Sequence, residues 1–363
     1  MGFKCGIVGL PNVGKSTLFN ALTASKNAEA ANFPFCTIDP NIGIVDVTDK
    51  RLDQLSFLSK SKKKIYTNIT FVDIAGLVKG ASKGEGLGNK FLSHIREVDA
   101  IVHLVRCFDS DKITHVNSEI NPLNDLETIK TEILLSDIDV IQKKLEKGKK
   151  KTLESKEVEF LENKLKSLNA GHETCNETAE EKEKLSLLGL LSIKPKIIVC
   201  NVDENSLSKG NKYTTSVISK YPDEKIVIIC ADIEDQIMGL DKEERETFMK
   251  EIGLNKTGLN QLIKEGHSLL NLDTFFTSGP EESRAWTIKK NTAAPKAASV
   301  IHTDFEKKFI RAEAVTCEDF IKYGSAEKCK ENGKLRIEGK DYIVKDGDVL
   351  YFRVNPWPDS FHA

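Results

Sequence analysis

Short apolar runs and longer amphipathic stretches take turns along the first third of the chain. The apolar runs Phe3–Gly9, Ile42–Val47, Ile65–Asp73 and Ala100–Arg106 read as strands, with helices between them. That alternation predicts a parallel sheet with crossover helices. The pattern then changes. Ile129, Ile133, Leu134, Ile138, Ile141 and Leu145 recur at helical steps, as do Val158, Leu161, Leu165 and Leu168, in a background of lysine and glutamate. Such spacing predicts amphipathic helices that pair with one another, with a turn near Gly148. The runs Lys196–Asn201 and Lys225–Ala231 return to buried strands, and a helix near Leu259–Leu270 follows. The helical stretch is therefore expected to be an insertion into an α/β domain. After Thr277-Ser278-Gly279-Pro280 come strand-like runs at Ala285–Ile288, Phe309–Ala314, Tyr342–Val344 and Val349–Val354, with Asp346-Gly347-Asp348 as a tight turn.

The expected organisation is an α/β domain in two parts, 1–127 and 195–278, and a helical arm over 128–194. A small α+β domain over 279–356 and a tail over 357–363 follow. A length of 363 residues suits two or three domains. The net charge of −2 demands no nucleic acid, so any such contact must come from a local patch. The eight cysteines are scattered without metal-ligand spacing, which suggests buried thiols in a reducing compartment. No apolar run approaches a membrane span, and the first strand leaves no room for a signal peptide. The expectation is a soluble cytoplasmic protein with no membrane partner and no specific DNA.

The chemistry concentrates in three places. Gly9-Leu10-Pro11-Asn12-Val13-Gly14-Lys15-Ser16 fits the P-loop pattern G-x-x-x-x-G-K-[ST], between a strand and a helix. Backbone N–H groups from Asn12, Val13, Gly14, Lys15, Ser16 and Thr17 would wrap a phosphate chain there. Lys15 would reach the β- and γ-phosphates and Ser16 would bind Mg²⁺. Asp73-Ile74-Ala75-Gly76 ends a strand, which suits Asp73 to Mg²⁺ and the Gly76 N–H to a γ-phosphate. Thr37, in the loop Phe33–Pro40, is the choice for a second hydroxyl on the metal, against a turn-capping role. Gly80, Gly84, Gly86 and Gly88 form a candidate switch segment. Leu77 stands where Ras-like proteins place a water-orienting glutamine, so slow intrinsic hydrolysis is expected.

The base-reading segment is Asn201-Val202-Asp203-Glu204, where GTPases carry N-K-x-D. Val202 replaces the lysine that packs on the base, and Glu204 replaces the aspartate that grips guanine. Unmet guanine N–H groups are costly, whereas Asn201 suits N7 and a 6-amino group. ATP is therefore favoured over GTP. Cys230-Ala231-Asp232 stands for the late loop, with an N–H of Ala231 or Asp232 offered to the base.

On these motifs the chain resembles the YchF or Obg-like ATPase family. The likeness extends through Asn32–Asn41, Asp73–Ser82, Thr274-Phe275-Phe276-Thr277, Arg284–Ile288, Val300–Phe305 and Asp346–Val349. It implies a P-loop NTPase G domain carrying an inserted coiled-coil arm and a C-terminal β-grasp (TGS) domain. It further implies a slow Mg²⁺-dependent ATPase acting as a nucleotide-gated switch on the ribosome, through the large subunit or its RNA. Lys15 and Gly76 are the implied catalytic groups. The likeness offers a K⁺ ion beside Asn12, against a plain turn role, and redox sensitivity at Cys36, against an ordinary thiol. Lys143, Lys144, Lys147, Lys149, Lys150 and Lys151 cluster at the presumed arm tip as a candidate RNA contact or a solvated surface. A GTPase of the same fold and a nucleotide-gated binding protein with incidental turnover remain the alternatives.

Overall fold

Apolar runs bounded by glycine and polar residues become strands wherever a neighbour buries them, and the chain builds two sheets this way. The computed structural model describes residues 3–30, 42–74, 87–110, 120–150, 154–173, 177–254 and 256–355. Its strands are β1 (Phe3–Val8), β2 (Ile42–Val47), β3 (Lys63–Ile65), β4 (Thr67–Asp73), β5 (Ala100–Arg106) and β6 (Lys196–Asn201). Then come β7 (Lys225–Ile229), β8 (Leu272–Ser278), β9 (Glu282–Lys289), β10 (Phe309–Thr316), β11 (Arg336–Glu338) and β12 (Asp348–Val354). They divide between two compact units, Met1–Val45 with Ile69–Leu269, and Asp46–Asn68 with Leu270–Ala363.

The first unit holds a six-stranded sheet in the order β2-β4-β1-β5-β6-β7. β1 runs parallel to β4 and β5, β5 to β6, and β6 to β7. Every residue of β5 is buried, as expected of a central strand covered on both faces. Register sets the functional edge. Ile7 pairs with Asp73, and Arg106 pairs with Asn201, which pairs with Ile229. The carboxyl ends of these strands thus share one edge of the sheet, where open α/β sheets bind ligands.

The arm consists of helices Pro122–Lys150, Ser155–Asn169 and Ala179–Leu187. Leu134, Ile141, Leu161, Leu168, Leu185 and Leu190 form its core. Two expectations need correction here. The first helix starts at Pro122, before 128, because proline suits the first helical position. It also runs through Gly148, where a turn was expected. Asp137 is fully buried and accepts the N–H groups of Leu191 and Ser192, each at 2.8 Å. Lys164, also buried, donates to the Glu173 carbonyl at 2.7 Å and pairs with Glu177. Among the described residues no helix is long and apolar enough to cross a membrane.

The second unit is a mixed sheet in the order β11-β10-β12-β8-β9-β3. β8 explains how both faces are covered. Phe275 and Phe276 are both fully buried, and neighbours on a strand point to opposite faces. Phe275 packs with Ile288, Ala297, Ala298 and Leu350, under the alanine-rich helix Ala294–Ile301. Phe276 packs with Leu52, Leu55, Val315 and Phe320 on the other face. Leu52 and Leu55 belong to helix Lys50–Leu58. This corrects the expected domain boundary: Asp46–Asn68 leaves the first unit to cover the second sheet, and the second unit begins at Leu270. The strand expected at Tyr342–Val344 is reduced to one bridge, Ile343 with Ala293.

Candidate nucleotide site

The loop between β1 and helix Lys15–Ala30 is tight enough that its glycines are obligatory. Gly14 has φ +93, and a Cβ there would meet the Asn201 amide at 2.2 Å. At Gly9 a Cβ would meet the Leu104 carbonyl at 2.7 Å. Asn12 takes the left-handed conformation at φ +65, which asparagine tolerates better than most residues. The helix begins at Lys15, so Gly14 to Thr17 carry the N–H groups that a helix start leaves for outside acceptors. Backbone donors and the helix dipole both favour an anion there.

Lys15 forms an ion pair with Asp73, and both side chains are largely covered, at 14% and 18% exposure. Their meeting follows from the β1–β4 register, which sets Asp73 level with Ile7 just before the loop. Ser16 is exposed at the first turn of the helix. Its hydroxyl and the Asp73 carboxylate are hard oxygen donors, the kind a divalent metal takes beside phosphates. The donor set therefore fits such a cation. Thr37, Gly76, Cys36 and Leu77 lie outside the described residues.

The residues expected to read the base fall into two groups. Asn201 is 4% exposed and its amide bridges two loops. It donates to the Val13 carbonyl at 2.9 Å and accepts the Ala231 N–H at 2.9 Å. The expected readers of the base thus partly hold one another: the Ala231 N–H is taken by Asn201, leaving the Asp232 side of the helix start. Val202 stands apart. At 2% exposure it packs with Val105, Cys107, Cys200 and Ile233 in the core. Glu204 is exposed in a short 3-10 turn, Glu204–Ser206, capped by Asp203, whose carboxylate accepts the Ser206 N–H at 3.1 Å.

Sequence reasoning missed Arg106. Its guanidinium is 1% exposed at the carboxyl end of β5. It donates to the carbonyls of Phe108 at 3.1 Å and Ser110 at 3.3 Å and lies 4.7 Å from the Phe108 ring centre. Arg106 therefore shapes the loop leaving β5 on the same edge. The signal was an arginine closing an otherwise apolar strand. His94, the histidine nearest the switch in sequence, is exposed. His103 is buried, and burial holds its pKa down at about 3, so it stays a neutral core residue. At the arm, Lys143 pairs with Asp139 at 2.6 Å and Lys144 with Glu157 at 3.6 Å, so part of the basic charge is offset.

Known proteins with this geometry are similar to the chain over nearly its whole length. A family model described as a 50S ribosome-binding GTPase matches residues 4–137. A model of the C-terminal region of YchF GTPases, described as a protein of unknown function, matches residues 272–355. That start agrees with the second unit's boundary. The protein named Ribosome-binding ATPase YchF from Escherichia coli O157:H7 is 52% identical, covering 98% of this chain and 100% of its own. The protein of that name from Bacillus subtilis strain 168 is 48% identical over the same shares. The solved structure of a Schizosaccharomyces pombe YchF GTPase superposes with a TM-score of 0.88 at 37% identity, covering 97% of this chain and 98% of that one.

Proposed function

The chain belongs to the YchF family, and we propose that it is a slow ATP hydrolase whose nucleotide state gates binding to the ribosome. The observation that carries the reading is the joint presence of the Lys15–Asp73 pair and the Asn201 bridge on one sheet edge. On nucleotide binding the Lys15 ammonium exchanges the Asp73 carboxylate for β- and γ-phosphate oxygens. Ser16, Asp73 and Thr37 would hold Mg²⁺, which would supply positive charge to the phosphates. The Gly76 N–H senses the γ-phosphate. Asn12, in its left-handed turn within the phosphate loop, would offer its side chain to a K⁺ ion beside the phosphates.

The choice of ATP rests on two residues. Val202 belongs to the core and supplies no cation over the base, and Glu204 replaces the shorter carboxylate that guanine requires. The curated relatives carry ATPase in their names, whereas the Schizosaccharomyces pombe protein is named a GTPase, so the base is the point to test. Ribosome binding is carried over from the relatives' names, with the large subunit or its RNA as the contact and the cytoplasm as the place of action. The test is calorimetric titration of non-hydrolysable ATP and GTP analogues with Mg²⁺. ATP is expected to bind at least about tenfold tighter, and Val202→Lys with Glu204→Asp to shift preference toward GTP. Tighter GTP binding by the unaltered protein favours the GTPase reading instead.

A further inference from the structure

The helix that follows Asp73 and the candidate switch in the chain, Leu87–Arg96, ends in an unusual set of polar ties. Its last carbonyl and one just past its end are met by a lysine from outside the helix. Lys194 donates to the Arg96 carbonyl at 3.0 Å and also to the Val98 carbonyl. An ammonium at a helix C-terminus satisfies orphan carbonyls and complements the dipole. Lys194 sits in the segment returning from the arm to β6. The outgoing side of the arm is tied as well: Arg96 donates to the Ser136 hydroxyl at 3.1 Å. The next residue, Asp137, clamps the returning segment through the N–H groups of Leu191 and Ser192. The end of one helix is thus bonded to both sides of the arm base, and the two sides are bonded to each other.

We infer that Lys194 and Arg96 form a mechanical coupling through which the nucleotide state sets the position of the arm. They are positioning residues, remote from the phosphates. A displacement of helix Leu87–Arg96 cannot leave the arm base unmoved while the Lys194 and Arg96 bonds persist. The bonds are few and partly exposed at Arg96, so they can be cut without dismantling the core. The inference deepens the proposed gating of ribosome binding and rests on that reading for its biological meaning.

The test is hydrogen exchange on the full chain with a non-hydrolysable ATP analogue or ADP, each with Mg²⁺. In the unaltered protein, exchange over 133–141 and 188–194 is expected to differ about threefold or more between nucleotides. Lys194→Met and, independently, Ser136→Ala with Arg96→Ala should reduce that difference toward none. Analogue affinity should stay within about twofold, and Lys194→Arg should restore part of the difference. Ser136→Ala alone, the mildest change, keeps the test informative where Lys194→Met is poorly folded. No difference in the unaltered protein, or a full difference in the well-folded variants, overturns the coupling. Ribosome co-sedimentation is measured alongside. Loss of nucleotide dependence there in the unaltered protein, with the exchange difference intact, overturns the gating reading and leaves the coupling standing.

Discussion

Asp73 closes β4 in the first unit and Asp348 opens β12 in the second, and the surroundings of the two aspartates differ completely. Asp73 pairs with Lys15 at a loop edge, and either partner can trade the other for a phosphate or a cation. Asp348 is 2% exposed and accepts the Tyr342 hydroxyl at 2.6 Å, the Lys345 N–H at 3.0 Å and Arg336 at 3.2 Å. Its neighbour Asp346 accepts the Thr274 N–H at 2.9 Å and pairs with Arg51 at 2.6 Å. The motif at 346–348 is thus spent on holding its own fold. What separates an exchangeable carboxylate from a structural one is the number of partners it must give up to do anything else.

The comparison makes its strongest demand at Lys15. On the proposed reading, replacing it with alanine removes the charge that would meet the phosphates and is expected to lower kcat for ATP about 100- to 1000-fold. Stability should fall by only about 1–2 kcal/mol, because Asp73, largely covered, loses one partner and keeps some access to water. Steady-state turnover and thermal unfolding on the same sample decide it, and a fall of less than about tenfold would break the assignment. Asp348→Ala should do the reverse. It leaves the Tyr342 hydroxyl and the Lys345 N–H without their acceptor, whereas Arg336 keeps Glu338, so the second unit should lose about 2 kcal/mol. Its nucleotide affinity should stay within about twofold. Denaturant titration read by exchange in residues 272–355, beside calorimetry, tests both halves, and a nucleotide defect without a stability defect would erase the contrast.

Much of this was legible in the chain. β5 and β6 run over the residues expected because continuous apolar runs become buried parallel strands, and the edge strand β2 also lies where expected. The P-loop was legible because glycine at 9 and 14 answers a local need, a close backbone approach and a left-handed turn. Domain membership was not. Leu272–Ser278 follows a helix of the first unit, and alternation says nothing about which sheet a strand will join. The pair Phe275-Phe276 did hold the clue, since two adjacent buried aromatics require cover on both faces. Helix Lys50–Leu58 supplies one of those covers from far away in sequence. The Asn201 bridge and the ties at Lys194 were invisible for a related reason. Their partners are backbone carbonyls and N–H groups that only the tertiary fold brings near.

Glu234 sharpens the comparison because it is neither exchangeable nor fully partnered. It lies one turn into the helix that starts at Ala231 and is 1% exposed. One carboxylate oxygen accepts the Gly258 N–H at 2.5 Å, and the other is buried with no partner among the described residues. Burial pushes its pKa from the ordinary 4.5 up to about 7, against the opposing N–H groups of Gly258 and Leu259. An acid raised in the folded state binds more protons folded than unfolded between those two values. Stability must therefore fall as pH rises through that window and level off above it. The displacement corresponds to a loss of about 2–3 kcal/mol by pH 8 relative to pH 4.5. Glu234→Gln keeps the shape and an acceptor for Gly258 without the charge, so its stability in the first unit should lack that slope and exceed the unaltered protein's at pH 8. Denaturant midpoints from pH 4.5 to 8, read by exchange in helix Gly258–Leu269, measure it. A slope that survives in the glutamine variant would assign the pH dependence to other groups and leave Glu234 an ordinary helix cap.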